Sequence, residues 1–359
     1  MNELSIADIR ARAVVAPLQR PIRTASGSIE AAPLVLLDVM TEQGLTGCAY
    51  LFAYTPAVLP ALTALVDQIT PMLRGQRVVP LDRQQQLLRQ FRLLGVQGLL
   101  GMVLSTLDMA FWDLLGKAAG VPVVRLLGGE PQPLRAYDSW GLVDPGRDAA
   151  GLERSVGAGF AGIKIKLGGG ELADDLATVR EVRRIIGDRV ALMVDYNQSL
   201  TPTEALRRVR ALQAFDLAWV EEPVAAEDLQ GHAQVRVQSP VPIQTGENWW
   251  FPRSAQQALD AGACDLMMPD LMKIGGITGW LSVMGLAHAA SMPVSSHLFI
   301  EASAHVLAVT PTRDWLEFMD FGAAILQTPA RLEQGCVTAQ GPGLGMAWDE
   351  DAVARCRVG

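Results

Sequence analysis

The sequence predicts an α/β protein in which a closed (β/α) barrel follows a smaller α+β module. Three observations predict it. Beyond about residue 130, eight short apolar runs alternate with stretches whose apolar residues recur at three- and four-residue spacing. Strands alternating with helices imply right-handed crossovers and a parallel sheet, and eight units about 20–30 residues apart suit closure. An open doubly wound sheet would carry a glycine fingerprint after its first strand, and none stands there.

In order, the runs are LRAYDS (134–139), GIKIKL (162–167), ALMVDYN (191–197), LAWVEEP (217–223), PIQTGE (242–247), DLMMPD (265–270), PVSSH (293–297) and WLEFMD (315–320). Helical spacing is clearest in LADDLATVREVRRIIG and TPTEALRRVRALQAF. Ahead of the barrel, IADIRARAVVAPL and APLVLLDVMTEQGLTGCAY read as antiparallel strands with a turn at Gln43-Gly44. Helices follow around PAVLPALTALVDQITPML and GMVLSTLDMAFWDLLGKAAG. The chain therefore divides into an α+β module over residues 1–130 and a barrel over residues 131–326. A glycine-rich tail, 327–359, is expected to pack back onto the first module.

A net charge of −8 with no basic run argues against nucleic-acid binding, which needs clustered cations to displace counterions. The first residues, MNELSIADIR, hold no apolar signal-like stretch, and no window approaches 18 uninterrupted apolar residues. The expectation is a cytoplasmic protein that neither spans nor binds a membrane. Cys48, Cys264, Cys336 and Cys356 are scattered and form no CxxC, which predicts buried free thiols.

In a barrel of this kind the chemistry sits at the C-terminal ends of the strands. Those ends carry Ser139, Lys164 with Lys166, Asp195 with Asn197, Glu221, Glu247, Asp270, His297 and Glu317. A lone aspartate after a strand is commonly a helix cap, and a lone histidine is commonly just packed. Eight polar strand ends on one rim are harder to assign to chance. Asp195, Glu221 and Glu247, on successive strands, would repel one another without a cation among them. An all-oxygen set suits Mg2+ or Mn2+ better than zinc. Period-two geometry puts Lys164 and Lys166 on one face and Ile163 and Ile165 on the other. Two adjacent ammonium groups beside a dication should depress a lysine pKa and free an amine to act as a base. Asp270 and His297, on neighbouring strands, suit a carboxylate that orients an imidazole base. A Ser–His–Asp hydrolase using Ser295 or Ser296 would employ similar residue types. No GxSxG elbow is present, however, and that reading leaves the lysines and carboxylates unexplained.

Ordered along the whole chain, TASG, YLFAYTP, KIKLG, VDYNQSL, WVEEP, GENWW, MPDLMKIGGITGW, SSHLF and WLEFMD resemble the mandelate racemase branch of the enolase superfamily. The resemblance implies a modified TIM-type barrel, with the first module a capping domain whose loop closes the mouth. It implies Mg2+ held by Asp195, Glu221 and Glu247. Lys166 would be the base on one face of the substrate, and His297, oriented by Asp270, the base on the other. Lys164 and Glu317 would contact the substrate carboxylate, Asn197 its α-hydroxyl and Ser139 a carboxylate oxygen. The implied reaction removes and returns the proton α to a carboxylate, through an aci-carboxylate (enediolate). An ammonium, a hydrogen-bonding carboxylic acid and Mg2+ would stabilise its charge, as is general for enolase-type sites. The outcome is racemisation of a 2-hydroxy acid, with mandelate or a similar aryl acid fitting the pocket. A homo-oligomer, often an octamer, is also implied.

On the loop PIRTASGSIE, Ile22 and Ile29 suit an apolar lid, and Phe52, Tyr54, Leu298 and Met319 complete an apolar pocket. Ser26 stands where mandelate racemases carry an aliphatic residue, and Trp140 where they carry a histidine; both bear on the substrate's side group. Within the superfamily the alternative is a sugar-acid or tartrate-type dehydratase, in which the His297–Asp270 pair would expel a β-hydroxyl. A polyol would need more hydrogen-bond partners than this lid supplies. From another class, the alternative is a catalytically silent barrel kept for metal binding or assembly.

Overall fold

The computed structural model describes residues 3–24 and 27–358, so Ser26 lies outside the described residues. The chain opens with an antiparallel sheet of β1 (Ile6–Thr24), β2 (Gly27–Thr41) and β3 (Thr46–Phe52), in that spatial order. The turn between β2 and β3 includes Gln43 and Gly44. At 19 and 15 residues, β1 and β2 outreach β3 and continue as a two-stranded arm. Near the arm's tip Ile22 pairs with Ile29, which brings the two lid isoleucines side by side.

Helices α1 (Leu59–Leu73), α2 (Pro80–Gln90) and α3 (Leu99–Ala119) follow. Helix α2 leaves little trace in the sequence, because only Pro80 and Leu87 of PLDRQQQLLRQ are buried. Helix α3 packs on β2 and β3 from one side and on the helix Gly276–Ala289 from another, so it is apolar nearly all round. By length and composition alone it could cross a membrane, as could Pro56–Leu73; here α3 is largely buried inside the protein.

The barrel strands are β4 (Leu134–Leu142), β5 (Gly162–Lys166), β6 (Ala191–Asp195), β7 (Leu217–Glu221), β8 (Ile243–Thr245), β9 (Leu266–Met267) and β10 (Leu316–Phe318). They are parallel and hydrogen-bonded in sequence order, and β10 pairs with β4. Residues 293–297 close the ring. Val294 bridges Met267 on one side and Arg313 on the other, and Asp270 bridges His297. The eight expected runs are thus the eight staves.

Alternation along each stave explains why the site lies where it does. Tyr137, Met193, Trp219 and Trp315 pack together as the barrel's inner floor. Two residues further along the same strands come Ser139, Asp195, Glu221 and Glu317, the same face one layer nearer the mouth. Ile163, Ile165, Leu192, Val194, Val220 and Ile243 point the other way, into the core beneath the surrounding helices.

The tail touches both parts. Residues Cys336–Val337 pair with the start of β4, while Val358 N donates to Ala13 O at 3.1 Å and Arg12 pairs with Glu350. All four cysteines are free; Cys48 and Cys264 are buried as expected, but Cys336 and Cys356, in the tail, are partly exposed.

Asp113 of α3 ties three segments together. Its carboxylate accepts Cys48 N of β3 and Leu344 N of the tail, both at 2.7 Å, and pairs with Lys117 at 2.6 Å. Asp113→Ala would leave two buried amides and an ammonium without their partner. We expect a loss of roughly 2–5 kcal/mol in urea denaturation, the scale of breaking a buried hydrogen-bonded charge.

Candidate active site

Side chains from strands far apart in sequence meet at the barrel mouth. Lys164 is 2% exposed and sits between two carboxylates, 2.7 Å from Glu221 Oε1 and 2.8 Å from Glu317 Oε1. Trp219 Nε1 and Gln244 Nε2 donate to the other oxygen of Glu221, at 3.1 and 3.4 Å. Lys166 Nζ lies 2.7 Å from Asp195 Oδ2 and also bonds Asn197 Oδ1. Asn197 in turn donates to both oxygens of Asp195, through its backbone N at 2.7 Å and its Nδ2 at 3.0 Å.

Asp270 fills two roles at once. One oxygen caps the helix Leu271–Ile274 by accepting Met272 N at 2.6 Å, and the other lies 2.6 Å from His297 Nδ1. The opposite nitrogen, Nε2, is 3.1 Å from Glu247 Oε2 and 3.9 Å from Glu317 Oε2. Glu247 is delivered by a close backbone approach. A Cβ on Gly246, whose φ is +138°, would come within 3.0 Å of the Met268 backbone. Tyr54, Asn197, Gln198, Glu222, Leu298 and Phe299 also take positive φ. Such conformations cost on the order of 1–3 kcal/mol each and gather where a site dictates geometry.

Oxygen atoms of Asp195, Glu221 and Glu247 lie within 4.8 Å of one another, close enough to share one metal ion. Six buried carboxyl groups (Asp195, Glu221, Glu222, Glu247, Asp270 and Glu317) face four basic groups (Lys164, Lys166, Lys273 and His297). The protein alone meets that excess of two negative charges by holding protons. Burial, with repulsion from Asp195 and Glu247, outweighs the pull of Lys164 and lifts Glu221 to about 7. Burial and the Glu247 carboxylate push Glu222 well above the usual range. A divalent cation supplies the two charges directly, so the donor set fits Mg2+ or Mn2+.

In the metal-free protein two charge states differ from those expected of the loaded site. Burial pulls Lys164 and Lys166 down, but Glu221 and Glu317 hold Lys164 well above the usual lysine value, and Asp195 and Glu247 raise Lys166. The depressed lysine is therefore not a property of the protein by itself. Nor is Glu317 a neutral acid: burial favours its protonation, yet Lys164 and His297 outweigh it and hold the group at about 2. Burial also disfavours the His297 cation, but Glu247, Glu317 and Asp270 hold its pKa well above the ordinary value.

Above these groups lies a cavity of about 250 Å3. Ser139, Lys164, Lys166, Asn197, Glu247, His297 and Glu317 form its floor. Ile22, Ile29, Phe52, Tyr54, Leu298 and Met319 form most of its roof and walls, joined by Thr24 and Phe321, which the sequence did not single out. Phe321 stacks on Phe52 with ring centroids 4.3 Å apart. The Ser139 hydroxyl is buried without a partner among the described residues. Also unforeseen is a chain from Lys273 Nζ to Asn248 Oδ1 (2.6 Å) and from Asn248 Nδ2 to Glu222 and Glu247 (2.7 and 3.0 Å). Its only signal in the sequence is position, since each member adjoins a motif: EE in WVEEP, EN in GENWW and K in MKIGG.

A barrel with a carboxylate trio at its mouth, under an arm from an α+β cap, defines an enolase-superfamily protein. Residues 6–128 match the mandelate racemase / muconate lactonizing enzyme N-terminal domain, and residues 147–352 match the enolase C-terminal domain-like family. The chain belongs to the mandelate racemase/muconate lactonizing enzyme family of that superfamily. A solved enolase from Bradyrhizobium, complexed with magnesium and mandelic acid, superimposes with a TM-score of 0.98 at 54% identity, over 100% of both chains. The 3,6-anhydro-alpha-L-galactonate cycloisomerase of Streptomyces coelicolor is 32% identical over 91% of this chain and 92% of its own. The L-talarate/galactarate dehydratase of Salmonella typhimurium is 29% identical, over 89% and 81%.

The charge excess makes a prediction about pH. Glu221 binds its proton more tightly folded (about 7) than unfolded, where it has an ordinary glutamate value, so its contribution is fully present below that unfolded value and lost as pH rises through 7. His297, also raised, contributes in the same direction. Chelated protein should therefore lose thermal stability between about pH 5 and 8. Added Mg2+ should raise the melting temperature more at pH 8 than at pH 5, and Glu221→Gln should flatten the dependence; calorimetry across that range checks all three.

Proposed function

We propose that this protein is a Mg2+-dependent racemase of an aryl 2-hydroxy acid such as mandelate, working with two bases. One observation carries the reading: Lys166 and His297 line one small cavity whose other walls are largely apolar. The Bradyrhizobium enolase with magnesium and mandelic acid supports it, at 54% identity over the full length. In this reading the cap, residues 1–130 with the tail 327–359, supplies the lid, and residues 131–326 supply the chemistry.

Asp195, Glu221 and Glu247 hold the ion, which supplies positive charge where the substrate carboxylate gains electron density. Lys164 contacts that carboxylate, as does Glu317 once it has taken up a proton; Ser139 donates to one of its oxygens, and Asn197 binds the α-hydroxyl. Ile22, Ile29, Tyr54 and Leu298 enclose the ring. Lys166 must lose a proton to act as a base. The carboxylates that hold it protonated, Asp195 and Glu247, are the ones a cation neutralises. Burial and Lys164 then act unopposed to lower its pKa. His297, oriented by Asp270, takes or returns the proton on the other face.

The second reading, a sugar-acid dehydratase, draws on the Salmonella relative and on the same His297–Asp270 pair. The apolar roof gives a polyol few partners, which favours the aryl acid.

With His297→Asn, racemisation should stop while one pure enantiomer still exchanges its α-proton with D2O through Lys166. Lys166→Met should leave exchange of the other enantiomer. Each lost base should slow its own half-reaction by ~10²–10⁴. NMR of each enantiomer in D2O with Mg2+ measures this. Loss of exchange for both enantiomers in both variants, with the ion still bound, would refute the two-base scheme.

A further inference from the structure

We propose that Arg20 is a positioning residue for the lid: with Trp140 it clamps the outgoing strand of the arm to β4 and so fixes Ile22 over the catalytic cavity. What the lid covers rests on the function proposed above; the clamp itself does not. Arg20 Nη1 and Nη2 fork onto Asp138, at 2.9 Å to Oδ2 and 2.7 Å to Oδ1, and Nη2 also donates to Ser139 O at 2.9 Å. The guanidinium lies over Trp140, with Cζ 3.8 Å from the ring centroid. Asp138 is gripped from the barrel side as well, by Trp140 Nε1 at 2.8 Å and Ser155 Oγ at 2.5 Å. An arginine plane that is forked and stacked at once has its orientation set.

The backbone lies equally close. A Cβ on Gly141 would meet Arg23 O at 2.2 Å. Arg23 Nε donates to Leu142 O at 3.0 Å, and its guanidinium pairs with Asp148 on the next helix, Pro145–Gly157. Residues 20–23 of the arm are therefore tied to residues 138–142 of the barrel. On the returning strand, Gly27, Ser28 and Glu30 are exposed.

The clamp matters to the site because of what stands beside it. Ile22, Ser139 and Met319 line the catalytic cavity on one side and a second cavity of about 180 Å3 on the other, whose wall includes Arg20 and Asp138. The partition between the two is the part of the pocket that Arg20 holds. Without the clamp, Ile22 has empty volume to move into, and the contact it offers an aromatic ring is lost.

The test compares wild type with Arg20→Ala and Arg20→Lys, measuring α-proton exchange of mandelate enantiomers with Mg2+ and, separately, amide hydrogen exchange without substrate. For Arg20→Ala, KM should rise roughly five- to tenfold with kcat within about threefold, the free-energy scale of one well-placed cation–π and ion-pair contact. Arg20→Lys, which keeps the charge but neither the fork nor the stack, should fall between. Amides of residues 18–24 should exchange faster in Arg20→Ala than in wild type. Faster amide exchange with a wild type inert to mandelate would sink the functional reading and sustain the clamp. An unchanged KM in an active enzyme, or unchanged amide exchange, would overturn the clamp.

Discussion

Six buried carboxyl groups and four basic groups share the mouth of the barrel, and the rest of the site depends on how that imbalance is met. In a low-dielectric setting a surplus of two negative charges is too costly to leave as it is. The protein alone meets it by lifting Glu221 and Glu222 out of the ordinary carboxylate range. A divalent ion within reach of Asp195, Glu221 and Glu247 meets it differently, and in doing so changes every neighbouring pKa. In the proposed reading the basicity of Lys166 is a property of the loaded site. Its partners, Asp195 and Glu247, are also the groups the ion would engage.

The second constraint is steric. The charged floor is built on the barrel, while much of the roof comes from a long two-stranded arm and the end of β3, with Leu298, Met319 and Phe321 of the barrel completing it. In the proposed reading the chemistry belongs to the barrel and much of the selectivity to the arm. A cycloisomerase and a dehydratase stand among this chain's relatives. In the proposed reading the discriminating features are the apolar residues of the arm and the contacts that hold it down.

Much of this was legible in the sequence for a definite reason. Strand alternation is a local property, so residues two apart at a strand end share a face, and the pairing of neighbouring staves brings Asp270 to His297. The carboxylate trio followed in the same way. Charge states were not legible, because they depend on groups from other strands: Lys164 is set by Glu221 and Glu317, 57 and 153 residues away in sequence. The same holds for Arg20 with Asp138 and for Lys273 with Asn248, whose contacts follow no period. Helix α2 hid for the opposite reason, having almost no buried face to leave a pattern.

The most direct test of the central claim, two bases on opposite faces of one carbon, uses the unmodified enzyme. Each pure mandelate enantiomer is turned over in D2O with Mg2+, and the first product formed is analysed by mass spectrometry at the α-position. If Lys166 and His297 face each other across that carbon, the second base delivers a solvent-derived deuteron, and the product carries deuterium from the first turnover in both directions. Product that retains the substrate's own proton would mean that a single group both removes and returns it, and would contradict the account.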